Sequence, residues 1–488
     1  MAHPPVDWFA LSPELTLLAA AALALLGAVL LPERLRRPAS ASLAGLGFAL
    51  AFGWAIALYW RSATQTRVIA NAIYRDRYSA VAALIVCGAG LLATLVSYGE
   101  RRLGSHVGEH FALLATAAAG MVFLAQAATL LTLFLGLEWL SISLYILCAL
   151  ERDVPEAIEA GFKYLIVGSF GSAILLFGSA LVYGATGTLS LPAIAHAAGK
   201  GDLLLVGGLA MIITGLGFKS SAAPFHMWTP DVYQGAPTPV SAFMAAATKT
   251  VALVLALRVL VIAFPRQEHL WTGATAALAV ASLAIGNIAA LVQRDLKRLL
   301  AYSSISHAGY MLIAITSASS LGARALLYYL IPYGAMSLGA FAVIALRERE
   351  LGQAVTLENL AGFGWERPLY GMAMWVFMLG FAGFPVVSGG FWGKFYVFSA
   401  AYEQGWIWLV FVGAAATVVS LYYYLGVIRA MYMRSELEAS LAVGGSPPAE
   451  RLLGVAVAIC AAISVGSFFA FGPALRLVGH AATQLIVG

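Results

Sequence analysis

Long apolar runs follow one another almost end to end along the chain, separated by short polar segments. A helix crosses the hydrocarbon core with about 20 apolar residues, and windows of that length predict about fourteen spans. They fall at 11–31, 40–60, 78–98, 110–126, 128–150, 161–185, 203–223 (interrupted at its end) and 239–263, then at 270–292, 299–317, 322–346, 369–404 (broken), 406–432 and 452–474. The runs are rich in Ala and Leu and lack a ten-residue alternation, which excludes a closed barrel. The expected fold is an all-α polytopic membrane protein with no soluble domain.

Composition agrees: 61% of the 488 residues are hydrophobic and 10% charged, with a mean hydropathy of +0.87, far from the usage of soluble domains. The net charge of +5 is spread over loops and orients the chain rather than marking a nucleic-acid partner. With both termini outside, the inner loops hold Arg34, Arg36, Arg37, Arg101, Arg102, Arg152, Arg294, Lys297, Arg298, Arg347, Arg349, Arg367, Arg429, Arg434 and Arg451. One loop, with Arg61, Arg67, Arg75 and Arg77, runs against this rule. Pro4, Pro5 and Asp7 replace a basic n-region, so the first span reads as retained.

Cys87, Cys148 and Cys460 are isolated and give no iron-sulfur or zinc spacing; they read as packing residues. The segment from Cys87 to Ala93 contains a formal G-x-G-x-x-A, but no strand precedes it and it lies within a span, so small-residue helix packing is the better reading. Walker A, HExxH and nucleophile-elbow patterns are absent from the sequence.

The chemistry lies in ionisable residues placed where the membrane should exclude them. Glu138 sits near the centre of LLTLFLGLEWLSISLYILCAL, where an ionised carboxylate costs about 2.5 to 3.5 kcal/mol. Lys219 and Lys249 enclose FKSSAAPFHMWTPDVYQGAPTPVSAFMAAATK, in which Pro224 breaks the helix and implies a hydrated gap. Lys394 follows a second break, at Pro385, Gly389, Gly390 and Gly393, and PVSAFMAAATK is echoed by PVVSGGFWGK. Lys163 lies three residues into its predicted span, after Glu156 and Glu159, and fits an interfacial lysine as well as a buried one. His307 follows Ser303, Ser304 and Ser306, a polar stripe suited to a water path or to a bond with a neighbouring helix; His226 beside Trp228 reads as structural, and Arg294, Asp295, Lys297 and Arg298 as a solvated turn. Three mid-membrane lysines and one glutamate would cost on the order of 10 kcal/mol if isolated and charged. They must be paired, neutral or hydrated, and a lysine poised between those states can hand on a proton.

With LFLGLEWLSISLYIL, GFKYLIVGSFGSAILLFG, RDLKRLLAYSSISHAGYML and GFPVVSGGFWGKFYVF, the proline-rich stretch resembles the antiporter-like membrane subunits of respiratory complex I over roughly residues 110–435. The chain is most similar to the chain N type, the bacterial counterpart of mitochondrial subunit 2: Lys394 stands where the chain M type has a glutamate, and the sequence ends soon after the fourteenth span, without the lateral helix of the chain L type. The resemblance implies two inverted five-helix repeats, at 110–263 and 264–435, between an N-terminal segment 1–109 and a C-terminal segment 436–488, with discontinuous seventh and twelfth helices. It also implies proton translocation driven by quinone reduction elsewhere. Glu138 then corresponds to the fifth-helix glutamate paired with Lys219, Lys163 to the sixth-helix lysine, Lys249 to the central lysine and Lys394 to the terminal one; His307 joins this candidate relay through its own polar stripe, not through the resemblance. The expected partners are other membrane subunits of the complex, neighbouring antiporter-like chains among them, and the lipid bilayer. The expected place is a bacterial plasma (inner) membrane. This chain would hold no cofactor; FMN, iron-sulfur clusters and quinone would lie in other subunits. Two other readings are a subunit of a multi-subunit Na+/H+ antiporter and a non-pumping scaffold.

Overall fold

The computed structural model describes residues 6–100, 103–104, 106–199, 202–433 and 450–487. Pro4, Pro5, Arg101, Arg102, Arg434 and the 435/436 boundary lie outside them.

In chain order the helices are α1 (Ser12–Leu30), α2 (Glu33–Arg61), α3 (Arg77–Ser97), α4 (Val107–Ala125), α5 (Leu130–Cys148), α6 (Pro155–Thr186) and the short α7 (Leu191–Ala197). Then come α8 (Leu203–Lys219), α9 (Trp228–Gly235), α10 (Thr238–Phe243), a π-helical turn (Met244–Thr248) and α11 (Lys249–Ala263). After these are α12 (Glu268–Leu291), α13 (Leu296–Thr316), α14 (Ser320–Leu351), α15 (Phe363–Glu366), α16 (Pro368–Ala382), α17 (Gly390–Glu403), α18 (Ile407–Met433), α19 (Arg451–Phe469) and α20 (Phe471–Val487). Among the described residues, 12 helices are long and apolar enough to cross a membrane, with the shorter apolar helices 203–219 and 368–382 beside them. The chain is a multi-pass membrane protein.

Two elements depart from the expected series of spans. Thr66–Val68 (β1) and Ile73–Arg75 (β2) pair as an antiparallel hairpin between α2 and α3. Three of the four arginines of this loop, which ran against the orientation rule, are engaged by other side chains: Arg75 pairs with Asp7 at 3.1 Å, Arg61 and Arg75 stack on Phe9, and Arg77 stacks on Tyr59. The second departure is α20, a separate helix where the sequence reading ended a span at 474. Its Gln484 amide donates to the Ser62 and Ala63 carbonyls, tying it to the hairpin side.

Both breaks form where expected. α8 stops at Lys219 because the chain turns at Ser221 (φ 61°) ahead of Pro224. α16 stops at Ala382 because Gly383 takes φ 81°, a left-handed conformation that costs glycine little. The freed groups of the first break are met by protein: the Trp228 indole donates to the Phe218 carbonyl at 3.2 Å, and the Ala223 N–H donates to Ser282 Oγ at 2.8 Å. These side-chain partners come from α9 and α12.

The two halves share further details. α6 and α14 are each 32 residues long and each ends at a left-handed glycine, Gly187 or Gly352. Thr129, ahead of α5, bridges to Ser190 beyond α6, and Asp295, ahead of α13, bridges to Thr356 beyond α14. Both bridging residues recur at one offset, since 295 − 129 and 356 − 190 both equal 166.

α13 and α14 are the core, each with 94% of its apolar window buried, whereas α1, α2, α6, α18 and α19 form the rim. A buried helix must satisfy its polar side chains within the protein.

Candidate functional site

Lys219 ends α8 and is almost wholly buried. Its Nζ donates to Ser141 Oγ of α5 at 2.8 Å and to Tyr164 Oη of α6 at 3.1 Å, and lies 5.3 Å from the Tyr164 ring. The expected contact with Glu138 is not made: no ion pair joins them among the described residues, and Glu138 Oε1 is buried without a hydrogen-bond partner. The reason is geometric. Ser141 lies three residues further along the same helix face, and its hydroxyl reaches the ammonium first.

Lys249 begins α11 directly after the π turn, a local widening frequent at functional sites. Its Nζ donates to both the carbonyl and Oγ of Ser304 on α13, each at 2.5 Å. Three residues on, His307 is fully enclosed, with Nδ1 at 2.8 Å from Tyr329 Oη of α14 and Nε2 at 3.0 Å from Tyr424 Oη of α18. Tyr424 Oη in turn lies 2.5 Å from Ser303 Oγ. His307 is thus bonded to neighbouring helices, and those bonds continue the polar stripe.

Lys394 lies on α17 beyond the second break. Its Nζ donates to the Ala382 carbonyl at 3.2 Å, reaches Thr417 Oγ1 at 3.5 Å and sits 4.4 Å from the Tyr310 ring. Tyr310 Oη and Thr417 Oγ1 are 2.9 Å apart. A Cβ on Gly383 would come within 3.0 Å of Lys394 Cδ, so glycine here also leaves room for the lysine stem.

The structure therefore connects Lys249, His307 and Lys394 through one face of α13, on which Ser303, Ser304, His307 and Tyr310 recur at three- and four-residue spacing. Between Lys219 and Lys249 stands an aromatic wall, with Tyr164 stacked on Trp228 at 4.5 Å and Trp228 edge-on to Tyr233 at 6.3 Å. Lys163 stands apart from this line. α6 begins six residues before its predicted start, yet the Lys163 stem reaches the surface, where Nζ lies 2.7 Å from Glu159 and from Asp231 with the side chain 41% exposed. Asp231 also holds Arg298 at 2.6 Å. His226 sits in the turn between α8 and α9.

The sequence reading missed Ser141, Tyr164, Tyr310, Thr417 and Tyr424. The Tyr triplet in SLYYYLG, polar atoms within an apolar span, was the available signal for Tyr424. No group of three or more His, Cys, Asp or Glu able to hold a metal occurs among the described residues.

Residues 127–420 match the family model described as NADH:quinone oxidoreductase/Mrp antiporter, TM. A protein of Trichlorobacter lovleyi named NADH-quinone oxidoreductase subunit N is 42% identical over 396 residues, 80% of this chain and 79% of that one. Among solved structures, a chain in respiratory complex I from Thermus thermophilus with bound aureothin superposes with a TM-score of 0.79 at 34% identity, over 95% of this chain and 98% of that one. A chain of the Mrp complex from a Dietzia species, at 19% identity, shares the fold with a TM-score of 0.83 over 97% of each chain.

Proposed function

The chain belongs to the NADH:quinone oxidoreductase/Mrp antiporter transmembrane family, and on that premise we propose that its protons move through a buried line of Glu138, Lys219, Lys249, His307 and Lys394. It is a proton-translocating membrane subunit of NADH-quinone oxidoreductase, and other membrane subunits of that complex are its partners. The Mrp likeness, at 19% identity, is one of fold, while relatives near 40% identity are named subunit N.

The observation that carries the relay is the continuity of polar side chains from Lys249 through Ser304, Ser303, Tyr424 and His307 toward Tyr310 and Lys394. A line of polar side chains across an apolar core is costly unless each member is satisfied, and this one gives each lysine a short-range acceptor. Glu138 stands one helical turn before Ser141, the serine that accepts from the Lys219 ammonium, so moving that ammonium from the serine to the carboxylate would change where the proton rests. Lys163 serves at the surface end, within the Asp231 and Arg298 cluster. The matched lengths, caps and bridges of α6 and α14 favour two repeats, at 110–263 and 264–435, flanked by 1–109 and 436–488. FMN, iron-sulfur clusters and quinone would then belong to other subunits, and the membrane to a bacterial cell, with both termini on its periplasmic side.

The test is Lys249→Ala in the assembled complex, with protons pumped per NADH oxidised measured in membrane vesicles. Loss of pumping at normal assembly is expected. Unchanged pumping would remove Lys249 from the line.

A further inference from the structure

A cavity of about 680 Å³ opens where α6, α9, α10, α13 and α14 meet. Its walls carry more carboxylates than cations, Glu156, Glu159, Asp231 and Asp295 among them, although the whole chain is net positive. Such a pocket focuses an attractive field on cations. Its floor is the junction of three side chains. Lys297 Nζ, 8% exposed, donates to the Ala236 carbonyl at 2.8 Å and to Thr238 Oγ1 at 3.0 Å, and lies 3.7 Å from Glu348. Thr238 Oγ1 in turn donates to Glu348 Oε2.

Below the floor, one helix face leads inward. Thr238, Ser241, Ala245 and Lys249 follow at steps of three, four and four residues, about 16 Å at the usual helical rise. Ala245 borders a narrow void shared with Ser304, Ser337 and Tyr333. The Tyr333 hydroxyl is buried there beside Ser304 and Ser337. The void is too narrow for a water, which leaves the hydroxyls of Ser337, Tyr333 and Ser304 themselves to carry a proton toward the Lys249 ammonium that Ser304 accepts.

Resting on the relay reading above, we propose that protons reach Lys249 through this cavity, and that Lys297, Thr238 and Glu348 are the gate at its floor. In the closed arrangement the Lys297 ammonium, held by Glu348 and Thr238, places a positive charge across the passage. A proton taken up by Glu348 neutralises the carboxylate and loosens that hold. The neutral Glu348 then gives that proton to Thr238 Oγ1, which releases its own toward Ser241 and the Tyr333 hydroxyl, so one proton enters, one leaves and Glu348 returns to its carboxylate form. Thr238 is a positioning and transfer residue that touches neither redox partner nor relay lysine.

The experiment compares Thr238→Val, which keeps the shape and removes the hydroxyl, with Thr238→Ser, which keeps the hydroxyl, in the assembled complex. Lys249→Ala is measured alongside. The initial rate of proton pumping and the protons pumped per NADH are both read in vesicles, with assembly checked on solubilised complex. Thr238→Val should lower the pumping rate about fivefold, the effect of losing one hydrogen bond of about 1 kcal/mol from the transfer path, with Thr238→Ser near wild type. Normal pumping in both, or equal impairment in both, overturns the gate. If Lys249→Ala abolishes pumping while Thr238→Val does not, the gate falls and the relay stands; if neither variant affects pumping, the relay itself falls. Should Thr238→Val fail to assemble, Glu348→Gln takes its place, with the same loss expected and unchanged pumping again overturning the gate.

Discussion

An ammonium taken out of water keeps three donors that must find acceptors. Lys219 finds Ser141 and Tyr164, whereas Glu138 stays out of contact. Stability and pumping should therefore respond to different residues. Ser141→Ala leaves a buried charged donor short of a partner, at about 1–3 kcal/mol, and is expected to lower the melting temperature of the purified complex. Glu138→Gln should leave that temperature near wild type while reducing pumping. The reverse order in differential scanning measurements would restore a direct ion pair. At this scale the buried lysines were legible because a charge in an apolar run has few bland explanations. Their immediate partners were not. Serine, threonine and tyrosine are ordinary in membrane helices, and only tertiary packing decides which hydroxyl faces a lysine.

Helices carry such residues in register only if their ends are fixed. Asp76 fixes the start of α3, accepting from the Ser79 N–H at 2.8 Å, and also receives the Arg258 guanidinium of α11 at 2.7 Å. Both side chains are fully buried, and Arg258 is further enclosed by the rings of Tyr74 and Tyr78. The pair ties the hairpin and α3 to the helix that bears Lys249. Removing one partner strands the other, so Asp76→Ala should cost about 3–5 kcal/mol, seen as loss of the subunit from solubilised complex on mild heating. Asp76→Ala combined with Arg258→Met should recover part of that loss; no recovery would mean that the cap on α3, and not the charge pair, is what matters. Span positions were legible from hydropathy, with ends off by up to seven residues, as at the start of α2, because a membrane helix is defined by its length in apolar residues and not by where its polar ends stop. The hairpin, the π turn and α20 were not, since each is short and depends on partners from distant segments.

In the whole molecule, the most enclosed helices carry the connected part of the polar line and the rim helices face outward. This arrangement keeps lipid away from the buried ionisable side chains. It also gives the line two distinct ends only if the chain has one orientation. The polar cavity lies on the face that holds Lys297, Arg298 and Arg349, the face the positive-inside rule assigns to the cytoplasm. The contrary arginines near the hairpin are engaged with Asp7, Phe9 and Tyr59, which weakens their claim as a free topogenic signal. Gln353, just beyond α14, and Gln404, between α17 and α18, are both exposed at opposite ends of the bundle. Cysteines placed singly at these positions, Gln353→Cys and Gln404→Cys, should be modified by a membrane-impermeant thiol reagent from opposite sides. Gln353→Cys should react only in inside-out vesicles and Gln404→Cys only in intact spheroplasts; the three native cysteines are buried and give a low background. The opposite labelling pattern would turn the cavity outward, and the same structure would then have to use it for release rather than uptake.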